Sequence, residues 1–199
     1  MPSDDMLGAT LAAATQTIIP DATVTVSTDE DRRLAAQCAS GDTDVFERIY
    51  RMHGDKMKSI AYNHLGNVSD AEDAVQETFL KVHRAASTYS GEASFSTWMV
   101  RILINTCYDM LRKRQRRPEE QEEEGTFERT APSVDDNKRI ALRKLLDELP
   151  EQRRSVFTLF EIEGLSHAEI AGILGISEGN SKWILFSTKK QLQEQWKRR

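Results

Sequence analysis

The chain has 199 residues, 27 basic and 32 acidic side chains, a net charge of −5, and apolar and charged fractions of 39% and 30%. That is enough chain for one large or two small domains. Its two cysteines, Cys38 and Cys107, sit in no CxxC and in no Cys/His spacing suited to zinc, so neither a disulfide framework nor a zinc module is expected and a reducing cytoplasm is the default compartment.

No apolar run approaches the roughly 20 residues that cross a bilayer, so no membrane insertion is expected. The first residues place acids ahead of their apolar part, which argues against a signal peptide. Strand signals are few and helix formers dominate, so the chain reads as all-α. No nucleotide-binding loop, metal cluster or nucleophile–base pair stands out. Neither catalysis nor a cofactor is expected.

The net charge hides a partition. Residues 1–41 hold 2 basic and 6 acidic side chains, and residues 42–117 hold 12 and 10. Residues 118–137 hold 1 and 8, and residues 138–199 hold 12 and 8. Two mildly basic blocks are thus separated by a strongly acidic link, a pattern that permits a nucleic-acid binder despite the acidic total.

Residues 1–28 are Thr/Ala-rich, with no helical period or cap. They read as a disordered extension, with a short strand paired on a partner as the alternative. From Asp29 a short helix runs to a stop at Gly41. A longer one follows, with Val45, Phe46, Ile49, Tyr50, Met57, Ile60 and Ala61 on one face and Gly66 at its end. The next helix is read as starting on a capping box, Ser69 with Glu72. Ala71, Ala74, Val75, Thr78, Phe79 and Val82 recur at helical steps. Its opposite face carries Asp70, Glu72, Asp73, Gln76 and Glu77, more acid than capping needs. That face is either solvated or a dock for a basic partner.

After a Ser/Gly/aromatic loop, Ser94 can cap a helix whose buried side is read as Phe95, Trp98, Met99, Ile102, Leu103, Thr106, Cys107, Met110 and Leu111. Arg101, Asn105, Asp109 and Arg112 form a ladder on the other side. Arg and Asn suit phosphate and base-edge contacts, although the same charges could pair along the helix. The tail Arg112-Lys113-Arg114-Gln115-Arg116-Arg117 puts five positive charges in six residues, a density that points to a polyanion. Pro118 should stop this helix. The acidic stretch 118–137 reads as a flexible linker. Fully extended it reaches roughly 70 Å, about two turns of B-DNA.

The last block is helical, with stops at Pro150 and Gly164, and ends in a helix-turn-helix pattern. Ser166 and Glu169 make a capping box, Ile170 and Leu174 are core positions, Gly175 supplies the tight turn and Ser177 caps the second helix. The N-terminal part of such a helix enters the major groove. That places Ser177, Glu178, Asn180, Ser181, Lys182, Trp183 and Phe186 near DNA.

Three segments carry a resemblance: DAEDAVQETFLKVHRA, YSGEASFSTWMVRILINTCYDMLRKRQRR and LPEQRRSVFTLFEIEGLSHAEIAGILGISEG. They resemble the extracytoplasmic-function (ECF) group of sigma factors of bacterial RNA polymerase, in the sigma-70 family. The resemblance implies two small helical domains joined by the acidic linker, 29–117 for core docking and the −10 element and 138–199 for the −35 element. It implies docking of the Asp70–Glu77 face on the clamp of the largest subunit, and a flap contact.

It also implies opening and reading of the −10 element by Tyr89, Ser90, Phe95, Trp98, Arg101 and Asn105. Arg112, Lys113, Arg114, Arg116 and Arg117 would hold phosphates. The helix-turn-helix would read −35, the linker would thread the RNA path, and an anti-sigma factor would restrain the whole.

The recognition helix departs from the family pattern, with Gly179-Asn180-Ser181-Lys182-Trp183-Ile184-Leu185 where Gly-Thr-Val-Lys and a Ser-Arg-Leu-like run are usual. Ser181 replaces a buried β-branched residue and Ile184 an Arg, which should loosen the anchor and weaken phosphate binding. Ile184 can turn inward in compensation. Either Asn180, Lys182, Trp183 and Phe186 read −35, or this half binds DNA weakly and serves as a protein contact. A sigma-like decoy for an anti-sigma factor, blind to DNA, is the alternative function.

Overall fold

A computed structural model describes residues 29–116 and 134–198, the side chains of 134–140 excepted. The expectations for residues 1–28, for Arg117 and for most of the acidic linker lie outside the described residues. Among those described there are helices and turns but no strand.

The N-terminal half comprises α1 (Asp29–Ala39), α2 (Thr43–Leu65), α3 (Val68–Ala85) with a 3₁₀ turn (Ala86–Thr88), and α4 (Phe95–Arg116). Asp42 caps α2, its carboxylate accepting from the Asp44 and Val45 amides. Gly66 ends that helix with φ of 81°, a left-handed conformation in which a side chain would be strained. One residue separates this end from α3, so the cap of α3 is Asn67, whose side chain accepts from the Asp70 amide at 3.0 Å. The expected Ser69/Glu72 box is therefore incorrect: Ser69 lies inside the first turn, and Glu72 is exposed. Ile49, Ile60, Ala74, Val82 and Leu103 are fully buried where α2, α3 and α4 meet.

The C-terminal half comprises α5 (Val134–Asp147), α6 (Glu151–Phe157) running into a π turn (Thr158–Ile162), α7 (His167–Leu174) and α8 (Glu178–Lys197). Helix α5 starts four positions before the expected boundary. The Ser166/Glu169 capping box, the left-handed Gly175 and the Ser177 cap are all as the sequence predicts.

The two halves pack on each other. Helix α4 lies against α7, and α2 against the π turn. Val100 and Ile104, outside the predicted buried face of α4, are 6% and 1% exposed. The apolar arc of α4 is wider than one neighbour needs. Polar groups also cross the contact. Glu163 accepts at one carboxylate oxygen from Ser59 Oγ (3.1 Å) and Asn63 Nδ2 (3.2 Å).

His64, fully buried, sits between both halves. Its Nδ1 lies 2.8 Å from the Ile60 carbonyl, which can only accept, so Nδ1 carries the proton. Nε2 then accepts from Ser155 Oγ at 2.9 Å, and the Tyr108 hydroxyl donates to that Oγ at 2.7 Å. Burial, with Arg154 and Arg143 nearby, lowers the His64 pKa to about 4 against the opposing bond to Ile60, so the ring is neutral at pH 7.

Candidate nucleic-acid interface

The loop before α4 is closed by its own groups. The Tyr89 hydroxyl donates to the Ala93 carbonyl at 2.5 Å, and Ser94 Oγ accepts from the Thr97 amide at 3.1 Å, the cap the sequence predicts. Tyr89 packs edge-on against Phe95 at 5.3 Å and Trp98 at 5.6 Å, and Phe95 stacks on Trp98 at 5.4 Å. Phe95 is only 1% exposed, which corrects its assignment as a DNA-contacting residue: it is the buried support of the cluster. Tyr89 and Trp98 are half-buried, and Ser90 is exposed beside them. The cluster offers half-buried ring surface beside an exposed hydroxyl, which suits stacking on an unpaired base.

Arg101 and Asn105 stand exposed one turn apart on α4. Of the alternative pairing along the helix nothing forms: among the described residues neither Arg101 nor Asp109 makes an ion pair, and Arg112 turns to Glu151 at 3.8 Å. Lys113 and Arg116 are exposed, and Arg114 lies 3.8 Å from Asp70. Arg101, Asn105, Arg112 and Arg116 fall on one side of α4 at four- and seven-residue steps, with Asp109 among them, while Arg114 turns toward α3.

The acidic face of α3 is continuous. Glu72, Asp73, Gln76 and Glu77 are exposed, Asp70 is half-buried in its pair with Arg114, and Glu77 lies 3.8 Å from Lys81. Such exposed pairs are worth about 0–1 kcal/mol, so a partner could displace them. Leu80, at 51% exposure, adds an apolar element beside the acids.

In the helix-turn-helix, Ser181 is 0% exposed and hydrogen-bonds His167 Nδ1 at 2.9 Å, while His167 stacks on Phe160 at 4.4 Å. Ser181 therefore ties α8 to α7 and cannot touch a base, which corrects the expectation that it lies near DNA. The bond supplies the anchor that the lost β-branched side chain would have given. Ile184 is 3% exposed and turns inward as expected. Ser177, Glu178, Asn180, Lys182, Trp183 and Phe186 remain exposed on α8. Lys182 Nζ lies 2.6 Å from Glu178, whose pKa is lowered by that bond. Ser59, Asn63, His64, Tyr108, Ser155 and Glu163, which join the two halves, carry no sequence motif; the wide apolar arc of α4 is the one signal of that contact.

Family comparison agrees with this layout. Residues 49–117 match the model of sigma-70 region 2, and residues 139–192 that of sigma-70 region 4. The chain is 32% identical to the ECF RNA polymerase sigma factor SigE of Mycolicibacterium smegmatis, over 83% of this chain and 68% of that protein. It is 31% identical to the ECF sigma factor SigM of Mycobacterium tuberculosis, over 76% of this chain and 77% of that one.

Among solved structures, CnrH in complex with the cytosolic domain of CnrY aligns with a TM-score of 0.65 at 25% identity, covering 85% of this chain and 98% of that one. The sigma factor RpoE of Bartonella quintana, solved with the anti-sigma factor NepR, shares the fold with a TM-score of 0.61 at 24% identity, covering 76% and 96%. With both conserved regions present and these relatives spanning most of the sequence, the chain belongs to the ECF group of the sigma-70 family of RNA polymerase sigma factors.

Proposed function

We infer that this chain confers promoter choice on core RNA polymerase, and we assign the work to three surfaces. The exposed acidic face of α3, Asp70 to Glu77, docks on a basic surface of the polymerase clamp. The aromatic cluster at Tyr89 and Trp98, with Ser90 and the Arg101/Asn105 ladder, captures an unstacked base of the −10 element. Arg112, Lys113, Arg114, Arg116 and Arg117 hold the flanking phosphates. Helix α8 reads −35 through Asn180, Lys182, Trp183 and Phe186, with Ser177 and Glu178 at its entrance. The domain division at residues 29–117 and 138–199 belongs to this reading, with the helix of the second domain reaching back to Val134.

The observation that carries the reading is the exposed Arg101/Asn105 face beside half-buried rings, which sets phosphate and base-edge donors next to ring surface that can stack on a base. The chain supplies recognition and the polymerase supplies catalysis. It acts where the polymerase is, in the cytoplasm; among the described residues no helix is long and apolar enough to cross a membrane. An anti-sigma factor that covers these surfaces completes the picture.

The −10 and −35 elements lie about 25 base pairs apart, or about 85 Å at ~3.4 Å per pair. Helices α4, α7 and α8 pack in succession, each spaced about 10 Å from the next. Reading both elements at once therefore requires the two halves to part. Run-off transcription with core enzyme tests the function. Arg101→Ala with Asn105→Ala should abolish promoter-dependent initiation while core binding persists. Loss of core binding, or initiation at full rate, overturns the assignment.

A further inference from the structure

Trp183 and Phe186 are 60% and 69% exposed, the highest values among the described large apolar side chains of the C-terminal half. They stand three residues apart on α8, so they share a face. Opposite them Ser181, Ile184, Leu185 and Thr188 are buried, which fixes the rotation of the helix and holds both rings outward. Neither ring stacks on another ring among the described residues.

The charges beside them balance. Lys182, the one cation in the first two turns of α8, is held by Glu178 at 2.6 Å, so that part of the helix brings almost no net positive charge. Positive charge lies further along, at Lys190, Lys197 and Arg198, where it can follow a phosphate backbone.

Resting on the reading of α8 as the −35 helix, we propose that this chain specifies its −35 element by apolar contact of Trp183 and Phe186 with thymine methyl groups. In the major groove the C5 methyl of thymine is the one apolar handle that a base pair presents. Two adjacent exposed rings on a groove-facing helix, with basic side chains continuing along the same helix, match a groove that carries neighbouring methyls inside a phosphate frame. The −35 element should hold two or more T·A pairs under the first two turns of α8, with Asn180 free to read an adjoining adenine.

The test uses holoenzyme assembled from the full chain and core polymerase, on a promoter mapped from its own transcripts. Each thymine of the −35 element is replaced in turn by deoxyuridine, which removes the methyl and leaves the pairing and the O4 acceptor intact. Binding should weaken about 4-fold per contacted methyl, the worth of one buried carbon. In Trp183→Ala/Phe186→Ala, whose sites are too exposed to threaten folding, that sensitivity should vanish.

Protection of −35 with no response to deoxyuridine overturns this inference and leaves the −35 reading standing. Absence of any −35 protection overturns the reading itself. A double variant that fails to assemble with core polymerase in the absence of DNA makes the two rings a protein dock and overturns the inference.

Discussion

Ser155 is the hinge of the contact between the two halves, and its hydroxyl has two jobs. It donates to His64 Nε2 at 2.9 Å and accepts from the Tyr108 hydroxyl at 2.7 Å, at a site with 0% exposure. In Ser155→Ala the volume change is one oxygen, so no cavity penalty arises. The cost is polar. His64 keeps Ile60 on Nδ1 and loses the Ser155 partner of Nε2, a buried acceptor worth about 1–3 kcal/mol when left unmade. Tyr108 loses less, because the Glu151 carbonyl lies 3.5 Å from its hydroxyl and can take over.

The expected total is about 2–3 kcal/mol. With a urea m-value of about 2 kcal/mol/M, the midpoint falls by about 1 M. Tyr108→Phe should cost about 1 kcal/mol, since Ser155 still serves His64. The double variant should cost less than the two single effects added, because both remove one network. Urea denaturation of the full chain at pH 7.5 measures all three. A loss below about 0.5 kcal/mol for Ser155→Ala, or a larger loss for Tyr108→Phe, would refute the relay.

The other predictions are shorter. His64 has a depressed folded pKa of about 4, so the unfolded chain takes up a proton below pH 6.5 that the folded chain refuses. Stability should be full above pH 6.5 and fall by about 2 kcal/mol by pH 5, and His64→Gln should flatten that dependence in denaturation at several pH values. Phe95→Ala should cost about 3–5 kcal/mol in stability, as a core truncation does, whereas removal of an exposed DNA contact would leave the melting temperature unchanged. Neutralising Lys113 and Arg116 should weaken promoter binding uniformly across sequences and reduce the slope of log K against log salt by about 0.9 per lost phosphate contact. Charge reversal at Glu72 and Asp73 should weaken assembly with core polymerase while leaving the denaturation midpoint within about 0.5 kcal/mol, as expected of an exposed face.

What the sequence disclosed was local. Ser166 with Glu169, Gly175 and Ser177 lie within a dozen positions, and each satisfies a backbone group a turn away, so their spacing suffices to place α7 and α8. The same logic misplaced the start of α3. Ser69 and Glu72 have the spacing of a box, but Gly66 had already ended α2, and the extended residue between the two helices was Asn67.

Long-range contacts were not legible. Ser155 is separated by 91 positions from His64 and by 47 from Tyr108, and no periodicity links them. Phe95 and Ser181 show the same limit at the site. Both fall in stretches that resemble DNA-reading segments, yet packing against Tyr89 and Trp98 in one case, and a bond to His167 in the other, turned them inward. The outward residues Arg101 and Asn105 followed from helical phase, and Trp183 and Phe186 from their place early in the second helix of the helix-turn-helix.

The measurement closest to the central claim is the mapping of RNA 5′ ends made by core polymerase with and without this chain on a genomic DNA template. The account predicts discrete start sites that appear only with the chain, share upstream −10 and −35 elements, and disappear with Arg101→Ala/Asn105→Ala. Tight binding of an anti-sigma factor with no chain-dependent start site would contradict it and make the chain a decoy.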